Sequence, residues 1–352
     1  MLEANYFDLG VMSVEWLAEY GLFLAKAVTV LVVVLLIIAM IASLKGKNRR
    51  AEGTLTVNKL NAQLARMTER LGQAVLDKPA FKAMHKARKL ADKANSKAGS
   101  ERSRVFVLNF NGDIKASALE NLRQEVTAVL ELATPQDEIV VKLESGGGMV
   151  HAYGLAASQL TRVRDAGVPL TVCVDKVAAS GGYMMACIAD RILAAPFAML
   201  GSIGVVAQIP NFNRILRKHD IDYEMLTAGE YKRTLTLFGE NSEKGREKFQ
   251  EDLENIHRLF KGFVGRYRPS LDVEAVATGE VWFGLEAVDN QLADEIKTSD
   301  QYISQRVGQA DVFEVHYVIR KRMQDKLSSG LSATLDRLLL TWASRFHNQR
   351  FW

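Results

Sequence analysis

The stretch EIVVKLESGGGMVHAYG, Glu138–Gly154, holds the transition on which the fold turns. Glu138–Glu144, a short apolar run rich in Ile and Val, reads as a strand. Met149–Arg164 reads as a helix, and Gly146, Gly147 and Gly148 lie between the two. A strand that passes through a glycine turn into a helix is the repeating step of an α/β domain. The same alternation continues outward on both sides. Val105–Phe110 reads as a strand, and Ala116–Ala133 as a helix that ends before Pro135. Pro169–Asp175 is predicted as a strand, Ser180–Ala189 as a helix, and Arg191–Ala195 and Gly204–Gln208 as further strands. Phe212–His219 then reads as a short helix, Ile221–Leu226 as a strand and Ser242–Arg268 as a long charged helix. The predicted class is α/β with a mainly parallel sheet, and no repeat of the solenoid kind is visible.

Outside this body the composition changes. The chain has 352 residues, 48% apolar and 24% charged, with a formal net charge of +4. That total joins unlike parts. Residues 1–44 carry 1 Lys+Arg against 4 Asp+Glu, residues 45–104 carry 16 against 5, and residues 105–352 carry 28 against 32. From Ala27 to Leu44 no residue is charged, and Val28–Met40 is almost wholly Val, Leu and Ile. With Gly21–Ala25 before Lys26, this is enough to cross a hydrocarbon core of ~30 Å as one helix. Glu3, Asp8, Glu15 and Glu19 make the leader acidic where a cleaved signal peptide would be basic, and Met40-Ile41-Ala42 is a poor cleavage site, so the segment reads as an uncleaved anchor. The lysines and arginines after it place the following bulk in the cytoplasm by charge bias.

Residues 55–98 read as helix, with Leu60, Leu64, Met67, Leu71 and Val75 on one stripe. Such a basic neck suits an anionic lipid surface or a stalk that assembles subunits, and equally a solvated spacer. Leu335, Leu338, Leu339, Trp342 and Phe346 share one face of an amphipathic C-terminal segment. The expected organisation is a leader over 1–26, a transmembrane core over 27–44, a basic helical neck over 45–104, an α/β domain over 105–325 and an amphipathic helix over 326–352. Nucleic acid is excluded as a partner, because the positive charge sits beside the anchor. Two cysteines exclude a disulfide scaffold and a Cys-rich metal centre. Cys173 and Cys187 lie in apolar runs and read as core thiols, and no metal site is arguable.

Three glycine-rich turns are candidates for chemistry. The turn at Gly146–Gly148 lacks the third glycine of a dinucleotide fingerprint, since His151 stands there, and no Gly-Lys-Ser/Thr follows, so no nucleotide cofactor is expected. Its outward backbone N–H groups suit an oxyanion. In Ala178-Ala179-Ser180-Gly181-Gly182-Tyr183, Ser180 stands at a helix start, either as a nucleophile or as a simple N-cap. A nucleophilic serine needs a base. Of the six histidines only His151 lies in a glycine-rich loop, and there is no Ser-x-x-Lys. Lys232, in Thr227-Ala228-Gly229-Glu230-Tyr231-Lys232-Arg233, is the remaining candidate, and a lysine acts as base only when desolvation keeps it neutral. Ser202, in Gly201-Ser202-Ile203-Gly204, either holds that amine or forms a turn.

The segments ESGGGMVHAYG, DKVAASGGYMMACIAD, PFAMLGSIGVVAQIPN and TAGEYKRTLTLFGENSEKGREKF, followed by ATGEVWFGLEAVDNQLADEI, resemble in their order the signal peptide peptidase A family of Ser–Lys serine peptidases. The resemblance covers nearly the whole chain, the anchor and basic neck included. It implies Ser180 as nucleophile, Lys232 as general base, Ser202 as hydrogen-bond partner of the lysine amine, and the Gly147 N–H as an oxyanion donor. It also implies a fold like the ClpP/crotonase superfold, no cofactor, peptide substrates with small or apolar residues near the scissile bond, ring-like homo-oligomers that complete the dyad between subunits, and a single-pass anchor in the bacterial inner membrane with a periplasmic catalytic domain. The family commonly reads Ser-Pro-Gly-Gly where this chain has Ser145-Gly146-Gly147-Gly148, which leaves the turn more freedom in the unfolded chain. The alternatives are a crotonase-type CoA-thioester enzyme, which shares the oxyanion turn and has no use for the dyad, and a catalytically idle membrane scaffold.

Overall fold

The structure, a computed structural model, describes residues 20–34, 53–98 and 102–319. Thr54–Val318 forms one compact unit, and the helix over 20–34 belongs to a second. That helix, α1, exposes its apolar side chains, and the Thr29 hydroxyl donates to the Ala25 carbonyl at 2.8 Å. Among the described residues no helix is long and apolar enough to cross a membrane. Residues 35–44 of the expected span, and the amphipathic segment over 326–352, lie outside the described residues.

The compact unit opens with β1 (Gly53–Lys59), α2 (Leu60–Val75), α3 (Lys78–Ala98), β2 (Arg104–Gly112), α4 (Leu119–Leu130), β3 (Glu138–Ser145) and α5 (Val150–Asp165). It continues through β4 (Leu170–Val174), β5 (Val177–Ala179), α6 (Gly181–Ala186), β6 (Arg191–Ala194), β7 (Met199–Gly201), α7 (Asn213–Lys218) and α8 (Glu243–Tyr267). It ends with α9 (Val273–Val276), β8 (Val281–Phe283), α10 (Gly284–Asp289), β9 (Glu295–Ile296), α11 (Ser299–Gln309) and β10 (Asp311–Ile319). The main sheet runs β1-β10-β2-β3-β4-β6-β9, parallel from β10 to β9, which is the mainly parallel α/β class expected.

Both faces of this sheet are covered. Phe106, Leu108 and Phe110 of β2 pack with Ile139, Val141 and Leu143 of β3 against α4 and α5. Val105, Val107, Val140, Cys173 and Leu193 point the other way, toward Tyr302 and Ile303 of α11. Strands buried on both faces read as continuous apolar runs, which is why EIVVKLE carries so little polar alternation. Under α11 the Thr171 hydroxyl (2.7 Å) and the Tyr302 hydroxyl donate to the buried Glu138 carboxylate, and Arg306 pairs with it at 2.8 Å.

A branch leaves the main sheet where the site lies. β5 pairs with β3 at Ser145↔Ala178, β7 pairs with β5 at Ala178↔Leu200, and β8 closes the branch antiparallel to β7. Ser145, Ala178 and Leu200 therefore lie in one row. The chain ends that follow them, at Gly146–Gly148, Ser180 and Ser202, emerge side by side.

Three expectations differ from the structure. Residues 55–98 are not one helix. GTLTVNK is an edge strand rich in Thr and Val, and a break at Leu76-Asp77 separates α2 from α3, where Asp77 Oδ1 accepts the Ala80 N–H at 2.8 Å and Pro79 sits in the first turn. The start of this segment also joins the α/β body, since Asn61 donates to the Val307 and Ala310 carbonyls (3.0 and 2.9 Å) and accepts from the Val312 N–H at 2.8 Å. Residues 204–208 and 221–226 are irregular and largely exposed. Neither segment meets a neighbouring strand to pair with. On the stripe of α2, Leu60 and Leu64 are half-buried, whereas Met67, Leu71 and Val75 are exposed.

Candidate active site

Ser180 stands between β5 and α6 with φ 52° and ψ −119°, a conformation an L-residue adopts only when its surroundings impose it. Its N–H donates to the Gly201 carbonyl at 2.8 Å, and its carbonyl accepts the Met184 N–H at 2.9 Å. Although Ser180 occupies the N-cap position, its side chain makes no capping hydrogen bond, and the residue lines a cleft of about 690 Å³. The simple-cap reading is thereby set aside. The glycines after it are required by space. A Cβ at Gly181 would lie 2.4 Å from the Tyr153 ring, and one at Gly182 would lie 2.5 Å from the Ser145 carbonyl oxygen. As the first residue of α6, Gly181 presents an N–H without a partner inside the helix, directly beside the serine.

Gly147 faces Ser180 from the adjoining turn. Its φ is +87°, and a Cβ there would stand 2.7 Å from both Ser180 Cβ and Gly181 N, so only glycine fits. The Gly147 N–H donates to Ser145 Oγ at 3.1 Å. Ser202 lines the same cleft from the end of β7, with φ 49° and its N–H donating to the Glu280 carbonyl at 2.6 Å. The structure thus brings Ser180, Ser202 and Gly147 together.

Lys232 is not brought to them within one chain. It sits exposed on the irregular segment over 227–236, where its N–H donates to the Gly229 carbonyl at 3.2 Å, and it is absent from the cleft lining. The ammonium groups of Lys244 and Lys248 lie over the ring of the adjacent Tyr231, at 5.9 and 5.6 Å from its centroid. His151, the histidine nearest in sequence to the glycine turn, is exposed on α5 and also lies off the cleft.

Sequence reading missed two features of this site. His257 of α8 lines the cleft, its Nε2 3.1 Å from the Ile203 carbonyl oxygen, next to Ser202. The signal was present: Leu253, His257, Phe260 and Val264 follow the spacing of four, three and four that marks the inward side of α8. The second is an apolar pocket of about 230 Å³ beside Ser180, lined by Val150, Met184, Ile256, Leu259, Phe260 and Phe263 among others. It is assembled from α5, α6 and α8, which no local pattern connects.

Both thiols are buried core groups, as read from their apolar runs. Burial pushes Cys173 up to about 12 and Cys187 higher still, so neither supplies a thiolate nucleophile near neutral pH.

Comparison with known proteins decides the class. The N-terminal model of peptidase family S49 matches residues 15–160, and the peptidase family S49 model matches residues 162–312. The chain belongs to peptidase family S49. It is a serine protease, and peptides are its substrates. Among its S49 relatives, the "Probable protease SohB" of Haemophilus influenzae is 46% identical over 322 residues, covering 88% of this chain and 91% of that one. The protein of the same description from Buchnera aphidicola subsp. Acyrthosiphon pisum is 41% identical over 324 residues, covering 92% of this chain and 96% of its own. A solved structure of the 1510-N membrane-bound stomatin-specific protease with a substrate peptide aligns with a TM-score of 0.40 at 12% identity, over 66% of this chain and 99% of that chain. S49 membership supports neither the thioester-enzyme alternative nor the idle scaffold.

Proposed function

We propose that this S49 protease is a membrane-anchored endopeptidase that cleaves peptides bearing small or apolar residues near the scissile bond, such as released signal peptides or membrane-protein fragments. The observation that carries the reading is the placement of Ser180: strained, uncapped, in a cleft shared with Ser202 and Gly147, and beside an apolar pocket. In this scheme Ser180 Oγ attacks the scissile carbonyl carbon as its proton passes to the neutral amine of Lys232. The carbonyl oxygen becomes an oxyanion held by the Gly181 N–H, and by the Gly147 N–H once its proton leaves Ser145 Oγ. The tetrahedral adduct then collapses with cleavage of the C–N bond, Lys232 returns the proton to the leaving amine, and an ester remains on Ser180. Water, deprotonated by the same amine, attacks the ester and restores the serine. The pocket beside Ser180 accepts the apolar side chain next to the cleaved bond.

Lys232 must be desolvated to act as a base, and a solvated loop does not provide this. A ring-like homo-oligomer, in which a neighbouring copy covers the loop or contributes its own Lys232, supplies both burial and proximity. The apolar run over 27–44 serves as inner-membrane anchor and the basic neck meets anionic lipid. A reporter fused after the C-terminus, active on one side of the membrane only, assigns the side of the catalytic domain.

The deciding experiment uses full-length protein in detergent and a serine-reactive fluorophosphonate probe. Labelling and peptide turnover should both vanish in Ser180→Ala and should both fall by several orders of magnitude in Lys232→Ala. Full turnover in Ser180→Ala would sink the reading.

A further inference from the structure

The apolar stripe of α2 is not the face that packs on α3. That contact is made by Ala65, Glu69 and Gly72. Gly72 is buried, and a Cβ there would lie 2.7 Å from Met84 Cε. Arg88 donates to the Ala65 carbonyl, and Glu69 pairs with His85 at 3.5 Å and with Arg88 at 3.6 Å. At about 100° per residue these three positions lie nearly opposite the stripe. The stripe faces outward instead. Met67, Leu71 and Val75 are 59%, 65% and 70% exposed, and Ala74 is exposed beside them. At its base Leu60 packs on the core under α11, and Asn61 binds the backbone at Val307, Ala310 and Val312, which fixes the start of α2 to the α/β body.

The spacing of this face says what covers it. Leu60, Leu64, Met67, Leu71 and Ala74 follow at intervals of four, three, four and three. That is a repeat of 3.5 residues, the seam by which one helix packs along another. Asn61, Gln63, Thr68, Arg70 and Val75 border the seam, with one charge among the five. A helix that lies on lipid carries lysines and arginines beside its apolar face, and here they stand on the next helix. α3 has 7 Lys+Arg against 1 Asp+Glu, whereas α2 has 2 against 1. The hairpin thus divides two roles, with α3 suited to an anionic surface and α2 to a helix as nearly neutral as itself. Another copy of this chain presents such a helix with the same seam. Two heptads are marginal alone, but copies held in one membrane meet at a high effective concentration.

We propose that the outward face of α2, built on Leu64, Met67, Leu71 and Ala74, docks along the same face of α2 in a second copy of this chain. No residue of α2 lines the cleft or the apolar pocket. The contact therefore rests on neither Ser180 nor Lys232, and its failure would leave the reading of the active site untouched.

The test uses full-length protein in vesicles of phosphatidylcholine and phosphatidylglycerol, with single cysteines placed on α2. Cys173 and Cys187 are buried and give no background. A short bismaleimide should join copies of Met67→Cys to each other, and likewise copies of Leu71→Cys. It should not join copies of Gln73→Cys, which is exposed on the far side of the helix. Adding Leu71→Glu to Met67→Cys should lower the yield of joined copies about tenfold or more, because a charge replaces buried apolar surface in the seam. Adding Gln73→Glu should leave that yield unchanged. All three positions are exposed, so the variants should fold, and thermal melting followed by circular dichroism checks this. Equal joining at Leu71→Cys and Gln73→Cys, no joining at Met67→Cys or Leu71→Cys, or a yield indifferent to Leu71→Glu would overturn the proposal. So would quenching of a fluorophore on Leu71→Cys by spin-labelled lipid, which would give this face to the bilayer.

Discussion

The Nε2 of His257 lies 3.1 Å from the carbonyl oxygen of Ile203, so helix α8 holds the residue that follows Ser202. Ser202 itself sits at φ 49°, and such a conformation persists only while its neighbours over-determine it. Replacing His257 by Ala removes one hydrogen bond of about 1 kcal/mol, and kcat should fall about fivefold with KM little changed. His257→Gln retains an N–H donor and should recover most of the loss. A Gln variant as poor as the Ala variant would indicate that the ring itself takes part in proton transfer.

At Gly147 two penalties coincide, because the added methyl needs a left-handed backbone and meets Ser180 Cβ at 2.7 Å. Gly147→Ala should lower kcat by a factor on the order of 10² or more and lower stability by about 1–3 kcal/mol. Steady-state kinetics and denaturant titration of the same preparation would check both. A variant with native kcat would contradict the close approach of the two turns.

The apolar pocket makes a prediction about specificity. Gly154 lines it from α5, and a Cβ there meets open space, so Gly154→Val should fold normally and fill part of the pocket. Selectivity between a Leu-bearing and an Ala-bearing peptide should move toward Ala by about tenfold in kcat/KM, since a methylene in an apolar pocket is worth about 1–3 kcal/mol. Unaltered selectivity would place the substrate side chain elsewhere.

Acid sensitivity should concentrate at Asp137. Burial pushes its carboxyl up, but hydrogen bonds from Arg104 and Thr134 outweigh that and hold it well below the ordinary carboxylate range. A carboxyl with a lowered folded pKa contributes stability that is complete above its unfolded value of about 3.9 and is lost as pH falls below it toward the folded value. Asp137→Asn should therefore cost about 1–3 kcal/mol at pH 7 and flatten the decline of the melting temperature below pH 4. An unchanged acid slope would show that other carboxyls dominate.

Much of the fold was legible in local pattern. The strand, glycine turn and helix over 138–165 appear within a residue of their expected limits, as does the long helix α8, whose Ser242 accepts the Gly245 N–H as an N-cap. Residues 204–208 and 221–226 misled because apolar and aromatic composition describes fitness for a pleated surface and does not provide a partner strand. Strands β5, β7 and β8, at three residues each, were too short to read as a period.

The sequence by itself determined the alternating α/β order, the buried thiols, and the glycine turns with Ser180 and Ser202 in them. These follow from periodicity and from backbone requirements that act over a few residues. Tertiary structure alone decided that β5 leaves β3 at Ser145↔Ala178 and carries Ser180 to Gly147, that His257 and an apolar pocket share the site, and that Lys232 stands apart from it within one chain. Those relations join residues tens of positions apart. They exist only once the two faces of the sheet are packed, and no local periodicity encodes them.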